Sequence, residues 1–445
     1  MKLFVENFGK IKFACVELNG YSIFVGDNNS GKTYLMQLIY GVTEAIKSIQ
    51  NFESTLFTEY PFRVNMDNLA LFQRDLDQWF EQNKEKIVKD TFHSDISIGS
   101  LSLVIDPQDV DNNFIVLKKV LATELDKVGK QINFLSDVEK KADSYLCMDY
   151  KDCLYVVTND FDGQETIWKN FYLRILLRNY LNASGLKSLY LPASRTGFNL
   201  VYRDLLAAMA KPREYDLSLP LGQVPESKKM GLTQPVFDYL IFLQTYKSDE
   251  NQLKKNKELI DFINRFIIKG AIVRNEDEIH YITDSGVDLP LYLASSMANE
   301  LTPIIHLLTS VEPIQRLLYD EIETSQHPTT QIQLARLMNR LVNSGVNLIV
   351  STHSDTMAAL ISNLVMLSFV ENGLSKAKEL GYEEADLLKE DCVHAYQFEK
   401  NEDGSTTVNE IEKFINLGIG YDFSLFNKTN KKIYNDYLVV KRKDV

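Results

Sequence analysis

The residues with the clearest chemistry lie in one loop at positions 26–33, which reads Gly-Asp-Asn-Asn-Ser-Gly-Lys-Thr. Two glycines separated by four residues and followed by Lys and Thr are typical of loops that bind the phosphates of a nucleotide. Because glycine has no Cβ, such a loop can turn its backbone N–H groups inward and hold phosphate oxygens. The residues predicted to contact a nucleotide are Gly26, Asn28, Asn29, Ser30, Gly31, Lys32 and Thr33.

The last two residues of this loop have separate predicted roles. Lys32 is a mobile point charge that can reach the β- and γ-phosphates, and the Thr33 hydroxyl can complete the ligand shell of Mg²⁺. An apolar, β-rich run at 21–25 precedes the loop, and apolar residues recur at helical spacing over 35–46. A strand, a loop and a helix therefore follow in the order that a phosphate site needs.

A pair of acidic residues, Asp320 and Glu321, follows the predicted strand 316–319. Carboxylates at this end of a strand face the phosphate loop in open α/β sheets. Asp320 is predicted to hold Mg²⁺, usually through water, and Glu321 to orient the water that attacks the γ-phosphate. The alternative is an acidic helix start, since Asp and Glu are favoured in first turns.

Two further candidates, His353 and Ser296, lie at the ends of predicted elements. His353 follows a buried-type strand at 346–351, and adjacent parallel strands would bring it to the same crevice as the acidic pair. Ser296 lies near a helix start, where hydroxyl and N–H groups bind anions. Pro303 leaves two starts open for this helix, at Ser296 with a kink or after Thr302.

The composition of the whole chain limits the class of protein. A chain of 445 residues has room for two or three domains, and a formal net charge of −13 argues against a protein coated with nucleic acid. Its four cysteines form no CxxC pair, which argues against a disulfide framework or a zinc site. Because the sequence has neither a signal-peptide pattern nor an apolar run of about 18 residues, we expect a cytoplasmic protein without membrane contact.

The rest of the chain alternates predicted strands and helices. Strands are predicted at 153–158, 187–191 and 364–370, a helix at 166–181, a loop at 211–232, and a hairpin from 393–398 and 406–411.

The order of these motifs resembles that of a known group of ATPases. The phosphate loop is followed by a long insertion, then by Ser-Ser-Met-Ala-Asn-Glu-Leu at 295–301, Asp-Glu-Ile-Glu at 320–323 and Ser-Thr-His-Ser at 351–354. This series resembles the ABC-type ATPases of the RecF, SMC and OLD group within the AAA family. It is particularly similar to the stand-alone bacterial ATPases, of the PARIS and Septu types, that accompany toxic effectors in phage defence.

The resemblance implies an α/β fold of the P-loop NTPase class, with an N-terminal antiparallel β-subdomain and a mainly helical insertion. It divides the chain into three parts. Residues 1–50 would carry the first part of the ATPase core, 51–290 the insertion, and 291–445 the second part of the core.

The resemblance also assigns roles to the candidate residues, with ATP and Mg²⁺ as cofactors. Ser296 would belong to a signature that completes the ATP site of a second subunit, which implies a homo-oligomer joined through ATP. Met297 departs from the glycine that is usual at this position of the signature. For Arg195 the resemblance leaves two positions open, one near the nucleotide or the signature and one at the surface. The implied catalytic residues are Lys32, Glu321 and His353, and the implied Mg²⁺ ligands are Thr33 and Asp320.

Three functions remain open from the sequence. The first is an ATP-driven molecular switch that controls a separate effector, a nuclease or toxin, in bacterial anti-phage defence. The second is a RecF- or SMC-like DNA-repair ATPase, for which DNA is the partner. The third is an ATP-bound scaffold with little turnover, which the departure at Met297 favours. After His353, no clustered set of Glu and Asp-x-Asp residues lies at the ends of successive predicted strands, which argues against an intrinsic two-metal nuclease.

Overall fold

The structure is a computed structural model that describes residues 1–49, 52, 62–64, 66–106, 115–121, 145–150, 153–158, 187–210, 231–275, 278–389, 391–414, 420–423 and 431–439. The predicted helix 166–181 and most of the predicted loop 211–232 lie outside these residues.

The strands are numbered in chain order. They are β1 Lys2–Phe8, β2 Ile11–Glu17, β3 Tyr21–Gly26, β4 Phe62–Val64, β5 Ser100–Val104, β6 Ile115–Leu121, β7 Tyr145–Tyr150, β8 Cys153–Thr158, β9 Ser188–Leu191, β10 Gly270–Asn275, β11 Glu278–Thr283, β12 Asp288–Pro290, β13 Arg316–Tyr319, β14 Asn347–Thr352, β15 Val393–Lys400, β16 Thr406–Ile411, β17 Lys413–Phe414 and β18 Gly420–Tyr421.

The helices are numbered in the same way. They are α1 Lys32–Lys47, α2 Met66–Phe92, α3 Arg195–Ala210, α4 Gln234–Thr245, α5 Glu250–Lys255, α6 Lys257–Phe262 with a π-helical continuation Ile263–Ile268, α7 Ser296–Thr309, α8 Pro328–Asn343, α9 Asp355–Phe369, α10 Gly373–Glu379 and α11 at 431–439.

A nine-stranded sheet forms the centre of the fold, in the order β5-β1-β2-β16-β15-β3-β14-β13-β9. Strands β15, β3, β14, β13 and β9 run parallel to one another, whereas β5, β1 and β2 pair antiparallel at the other side. The predicted α/β class with an antiparallel N-terminal part is confirmed.

Two hydrophobic cores cover the two faces of this sheet. Along β3, Phe24 lies in the core that contains α1 and α2, whereas Ile23 and Val25 lie in the core that contains α7, α8 and α9. A strand buried on both faces has a nearly continuous apolar sequence instead of an alternating one. This explains why the strand before the phosphate loop is apolar at every position from 21 to 25 except Ser22.

The segment assigned to the insertion, 51–290, contributes to the central sheet. Its strand β5 pairs with β1, and its strand β9 pairs in parallel with β13. The same segment carries two smaller sheets, β4-β6-β8-β7 and β10-β11-β12. The sheet therefore draws strands from this segment as well as from the two parts of the predicted core.

The predicted strand 364–370 is wrong, because these residues lie mostly in helix α9. The side chain of Ser354 caps this helix by accepting a hydrogen bond from the N–H of Met357 at 3.2 Å. The helix buries Ile361, Leu364 and Val365 at helical spacing. A short apolar run has the same composition in a buried strand and in a buried helix, so its periodicity alone could not separate the two.

Helix α7 starts at Ser296 and runs through Pro303, with Ser295 as its N-cap. A proline inside a helix removes the N–H that would bond the carbonyl four residues earlier. That carbonyl belongs to Asn299, and it accepts a hydrogen bond from Nδ2 of Asn199 on α3 at 2.7 Å instead. The side chain from the neighbouring helix explains how α7 tolerates a buried proline.

Candidate nucleotide site

The loop after β3 has the backbone that a phosphate site requires. Asn29 and Gly31 both have left-handed backbones, with φ of 61° and 101°, and α1 begins directly after Gly31. Gly26 lies so close to β15 that an added Cβ would be 2.8 Å from the Cβ of Phe398. Only glycine fits both the left-handed turn at 31 and the close approach at 26 without strain.

Lys32 is buried within this loop. Its Nζ donates to the carbonyls of Gly26 at 2.9 Å and Asp27 at 3.0 Å, and to the hydroxyl of Ser30 at 3.3 Å. Burial lowers the pKa of the ammonium to about 8, although the carboxylates of the site, Asp320 foremost, oppose this shift. The site therefore holds a partly desolvated cation that gains from an anionic ligand.

The side chain of Asp320, which follows β13, accepts hydrogen bonds from residues of β9, β14 and α1. Its Oδ2 accepts from Oγ1 of Thr33 at 2.8 Å and from the hydroxyl of Tyr190 at 3.0 Å. Its Oδ1 accepts from Oγ of Ser351 at 2.5 Å. The ends of β9, β13 and β14 and the start of α1 thus converge on one buried carboxylate.

The next residue, Glu321, has an unusual backbone. Its φ is 47°, in the left-handed region that residues with a Cβ rarely adopt. Its N–H donates to Oγ of Ser351 at 2.8 Å, and its Oε2 accepts from Oγ1 of Thr324 at 3.3 Å. The side chain is 39% exposed, so the carboxylate can reach a water molecule at the mouth of the site.

His353 lies beside this carboxylate, with 3.7 Å between its Nε2 and Oε1 of Glu321. Its backbone N–H donates to Oε1 of Glu323 at 2.6 Å. Burial lowers the pKa of the imidazole, and the charge of Lys32 lowers it further. Both effects favour the neutral ring.

The structure brings Lys32, Thr33, Asp320, Glu321 and His353 into one site, but it does not bring in Ser296. That residue is exposed at the start of α7, and none of the described hydrogen bonds of the phosphate loop involves it. Tyr292 and Leu293, just before it, are also exposed. The start of α7 is therefore open to another molecule.

For Arg195 the sequence left two positions open, one near the nucleotide or the signature and one at the surface. The surface position is wrong for this residue, because its side chain has no exposed area. It follows β9, and its guanidinium donates to the carbonyl oxygens of Asp320 at 2.8 Å and Glu321 at 3.1 Å. Its position after a strand parallel to β13 was the available signal, since such strand ends meet at one edge.

The residues present fit a magnesium nucleotide. In the described part of the chain, no group of three His, Cys, Asp or Glu side chains could hold a metal ion alone. The hydroxyl of Thr33 and the carboxylate of Asp320 are hard oxygen donors at one place, and Mg²⁺ in nucleotide sites takes its remaining ligands from phosphate and water. The site therefore suits an ion that arrives with its nucleotide.

A separate cavity of about 560 Å³ lies along the second half of α1. Tyr40, Glu44, Trp79 and Asp238 are among its lining residues, and none of the residues of the phosphate site lines it. It is therefore distinct from the candidate site.

Three solved structures are similar to this chain at low identity. An Smc head bound to the C-winged helix domain of ScpA has 12% identity and a TM-score of 0.40, with 94% of this chain and 99% of that chain covered. The SMC head domain from Thermotoga maritima has 10% identity and a TM-score of 0.36, with 92% and 98% covered. An Smc head domain with an extended coiled coil, bound to the C-terminal domain of ScpA derived from Pyrococcus furiosus, has 12% identity and a TM-score of 0.33, with 98% of each chain covered.

Comparison with curated proteins gave no significant match. Among the helices that the structure describes, none is both long enough and apolar enough to cross a membrane. One protein-family model matches the sequence, and the matched segment contains Ser296, Asp320, Glu321 and His353 but not the phosphate loop. Residues 240–358 of the chain match the AAA ATPase domain family.

Proposed function

We propose that this protein binds ATP with Mg²⁺ at the loop 26–33 and hydrolyses it. The observation that carries the proposal is the hydrogen bond between Oγ1 of Thr33 and Oδ2 of Asp320, at 2.8 Å. It joins the two residues whose oxygens would bind the metal ion, one from the phosphate loop and one from the end of β13. The match of residues 240–358 to the AAA ATPase domain supports the same function.

Each remaining residue has a chemical role in this proposal. Lys32 would leave its loop carbonyls and bind the β- and γ-phosphates, which gives its charge a stronger partner. Mg²⁺ bound to Thr33 and Asp320 would neutralise charge on the same phosphates. Glu321 would orient a water molecule and accept its proton as it attacks the γ-phosphate. His353, held neutral, would hydrogen-bond the γ-phosphate beside that water.

We also infer that ATP joins two copies of the chain, and that hydrolysis separates them. The exposed start of α7, with Tyr292, Leu293 and Ser296, supports this step because it leaves hydroxyl, N–H and apolar groups open to a second copy. The order of motifs further supports a switch that controls a separate effector, a nuclease or toxin, in bacterial anti-phage defence. In this proposal the effector is controlled by whether the ATPase is assembled or separated.

ATP turnover of the purified chain tests the first step. Phosphate release should depend on Mg²⁺, and Lys32→Ala should abolish it by removing the cation that binds the phosphates. The matched control is Lys378→Ala, which removes an exposed lysine of α10 and should leave turnover unchanged. ATP binding without turnover in the unaltered chain would favour a scaffold over a hydrolase.

The assembly step has its own experiment. Glu321→Gln should bind ATP but not hydrolyse it, so an ATP-joined assembly should accumulate and elute earlier in size-exclusion chromatography. Glu371→Gln, at an exposed position, is the control. If the elution of Glu321→Gln is the same with and without ATP, joining through ATP is wrong.

A further inference from the structure

We propose that Arg195 is a positioning residue that couples helix α7 to Glu321, and this inference rests on the proposed hydrolysis of ATP. None of the described hydrogen bonds or ion pairs of Arg195 involves the phosphate loop. Its partners are the backbone of the acidic pair on one side and a carboxylate of α7 on the other. It therefore links α7 to the peptide that carries the acidic pair.

The first half of the link fixes the peptide that presents Glu321. One terminal nitrogen of the guanidinium, Nη1, donates to the carbonyl of Asp320 at 2.8 Å and to that of Pro192 at 3.1 Å. The other, Nη2, donates to the carbonyl of Glu321 at 3.1 Å. A planar, rigid fork of donors can hold two successive carbonyls at once, which a lysine ammonium does less well.

This peptide needs such support because Glu321 has a left-handed backbone, with φ of 47°. Residues with a Cβ stay in this region only where their surroundings hold them there. Here Oγ of Ser351 accepts a hydrogen bond from the N–H of Glu321, and the guanidinium of Arg195 donates one to the carbonyl of Glu321. The direction of the catalytic carboxylate therefore depends on both contacts.

The second half of the link reaches α7. Arg195 forms an ion pair with Glu300, and the side chains of both residues have no exposed area. The hydroxyl of Thr196 donates to the same carboxylate, and the guanidinium lies 4.5 Å from the ring centroid of Tyr319. A buried ion pair cannot separate without leaving a charge desolvated, so Arg195 must follow Glu300 when α7 moves.

Helix α3 holds α7 at a second point. Nδ2 of Asn199 bonds the carbonyl of Asn299, which is the carbonyl that Pro303 leaves without an N–H partner. The first turns of α3 thus contact α7 through Arg195, Thr196 and Asn199. A shift at the exposed start of α7 would be passed through these contacts to the peptide of Glu321.

The test uses two conservative variants and one control on the same helix. Arg195→Lys keeps the positive charge but loses the planar guanidinium that donates to two carbonyls. Glu300→Gln keeps a hydrogen-bonding side chain but loses the negative charge that pairs with Arg195. Arg203→Lys changes an exposed arginine of α3 and is the matched control. The measurements are the ATP dissociation constant, kcat, KM and the thermal unfolding temperature.

We expect both variants to bind ATP with affinity within about twofold of the unaltered chain and to lose kcat by about tenfold or more, since small displacements of a reacting group are costly. The double variant should lose little more than the more affected single variant, because the two changes break one link. If Arg195→Lys does not fold, Glu300→Gln carries the test alone. Unaltered kcat in a folded variant overturns the proposal.

Amide hydrogen exchange gives a readout that does not depend on turnover. The amides of Glu321 and Ile322, which donate to Ser351, should exchange faster in Arg195→Lys and Glu300→Gln than in Arg203→Lys. Exchange that is unchanged at these amides overturns the inference even if the chain hydrolyses no ATP. If the unaltered chain hydrolyses no ATP but the two variants show faster amide exchange at Glu321 and Ile322, the proposed hydrolysis is wrong. The coupling of α7 to Glu321 through Arg195 is then still supported.

Discussion

Thr33 and Asp320 lie 287 positions apart in the sequence, yet their side chains share a hydrogen bond of 2.8 Å. One residue stands at the start of α1 and the other at the end of β13, on the edge where the parallel strands end. The same carboxylate also accepts from Tyr190 and Ser351, so it has donors on both oxygens. These hydrogen bonds orient the carboxylate towards the Thr33 hydroxyl.

The first prediction concerns the metal dependence of ATP binding. Thr33→Val removes a hydroxyl that would bind Mg²⁺, so the ion should no longer strengthen ATP binding, and the loss should be about tenfold, or about 1.4 kcal/mol. Thr33→Ser keeps the hydroxyl and is the control. Isothermal titration with Mg²⁺ and with EDTA measures the difference. If Mg²⁺ strengthens ATP binding as much in Thr33→Val as in the unaltered chain, Thr33 is not a ligand of the metal ion.

The second prediction concerns pH and rests on the pKa of Lys32, which burial lowers to about 8. A lysine with a lowered pKa is charged below that pH and neutral above it, so ATP affinity should be full near pH 7 and should fall as pH rises through about 8. Binding at pH 8 should also take up protons, because the phosphates favour the ammonium form. Titration calorimetry in buffers with different ionisation enthalpies measures this uptake.

Lys32→Arg provides the control for this effect, since a guanidinium stays charged over the whole range. Its affinity should be independent of pH between 7 and 9, whatever its absolute value. A pH dependence equal to that of the unaltered chain would place the titrating group elsewhere.

The third prediction concerns acid stability. His306 is buried on α7 and stacks on Tyr246 at 3.9 Å between ring centroids. Burial lowers its pKa to about 3, and the charge of Arg274 lowers it further. In the unfolded chain histidine binds a proton below about pH 6.5, so this residue makes the fold less stable as pH falls from there towards 3.

His306→Phe keeps a flat ring against Tyr246 but cannot bind a proton. Its free energy of unfolding should therefore fall less steeply with acid than that of the unaltered chain, by about 1.4 kcal/mol for each pH unit below about 6.5. Urea unfolding at pH 7 and at pH 5 measures the two slopes. Parallel slopes would mean that the folded protein also protonates His306.

The fourth prediction concerns the close contact between α1 and α2. A Cβ added to Gly41 would lie 1.9 Å from Oγ1 of Thr91, so Gly41→Ala should force the helices apart and cost about 1–3 kcal/mol. Gly197→Ala on α3 meets no atom within 4 Å and should be neutral or stabilising by up to about 1 kcal/mol. Thermal unfolding compares the two, and Thr91→Ala should rescue the first. A stable Gly41→Ala chain would contradict the packing.

Much of the site was predictable because its signals are local. The phosphate loop needs a fixed spacing of Gly, Lys and Thr between a strand and a helix, and residues 21–47 contain all of it. The strand 316–319 was predicted with its observed bounds, because the apolar run before the two carboxylates favoured a strand over the alternative of an acidic helix start. The helix start at Ser296 was one of the two alternatives that the sequence allowed.

Other features depend on partners that are distant in the sequence. The burial of Arg195 follows from main-chain carbonyls at 320 and 321 and from the carboxylate of Glu300, and no local pattern indicates such partners. The passage of α7 through Pro303 depends on Asn199, which lies on another helix. The error at 364–370 arose because burial on a packed helix and burial in a sheet select the same apolar residues.

The order of strands in the central sheet has a consequence for biosynthesis. Strand β3 carries the phosphate loop, yet its two neighbours, β14 and β15, leave the ribosome long after it, since Tyr21 pairs with Leu348 and with Val393. At about 5–20 residues per second, the unpaired backbone edges of β3 would wait for tens of seconds during translation. A nascent chain stalled before Val393 would present them to chaperones and proteases, so the first functional motif to be translated is among the last to be completed.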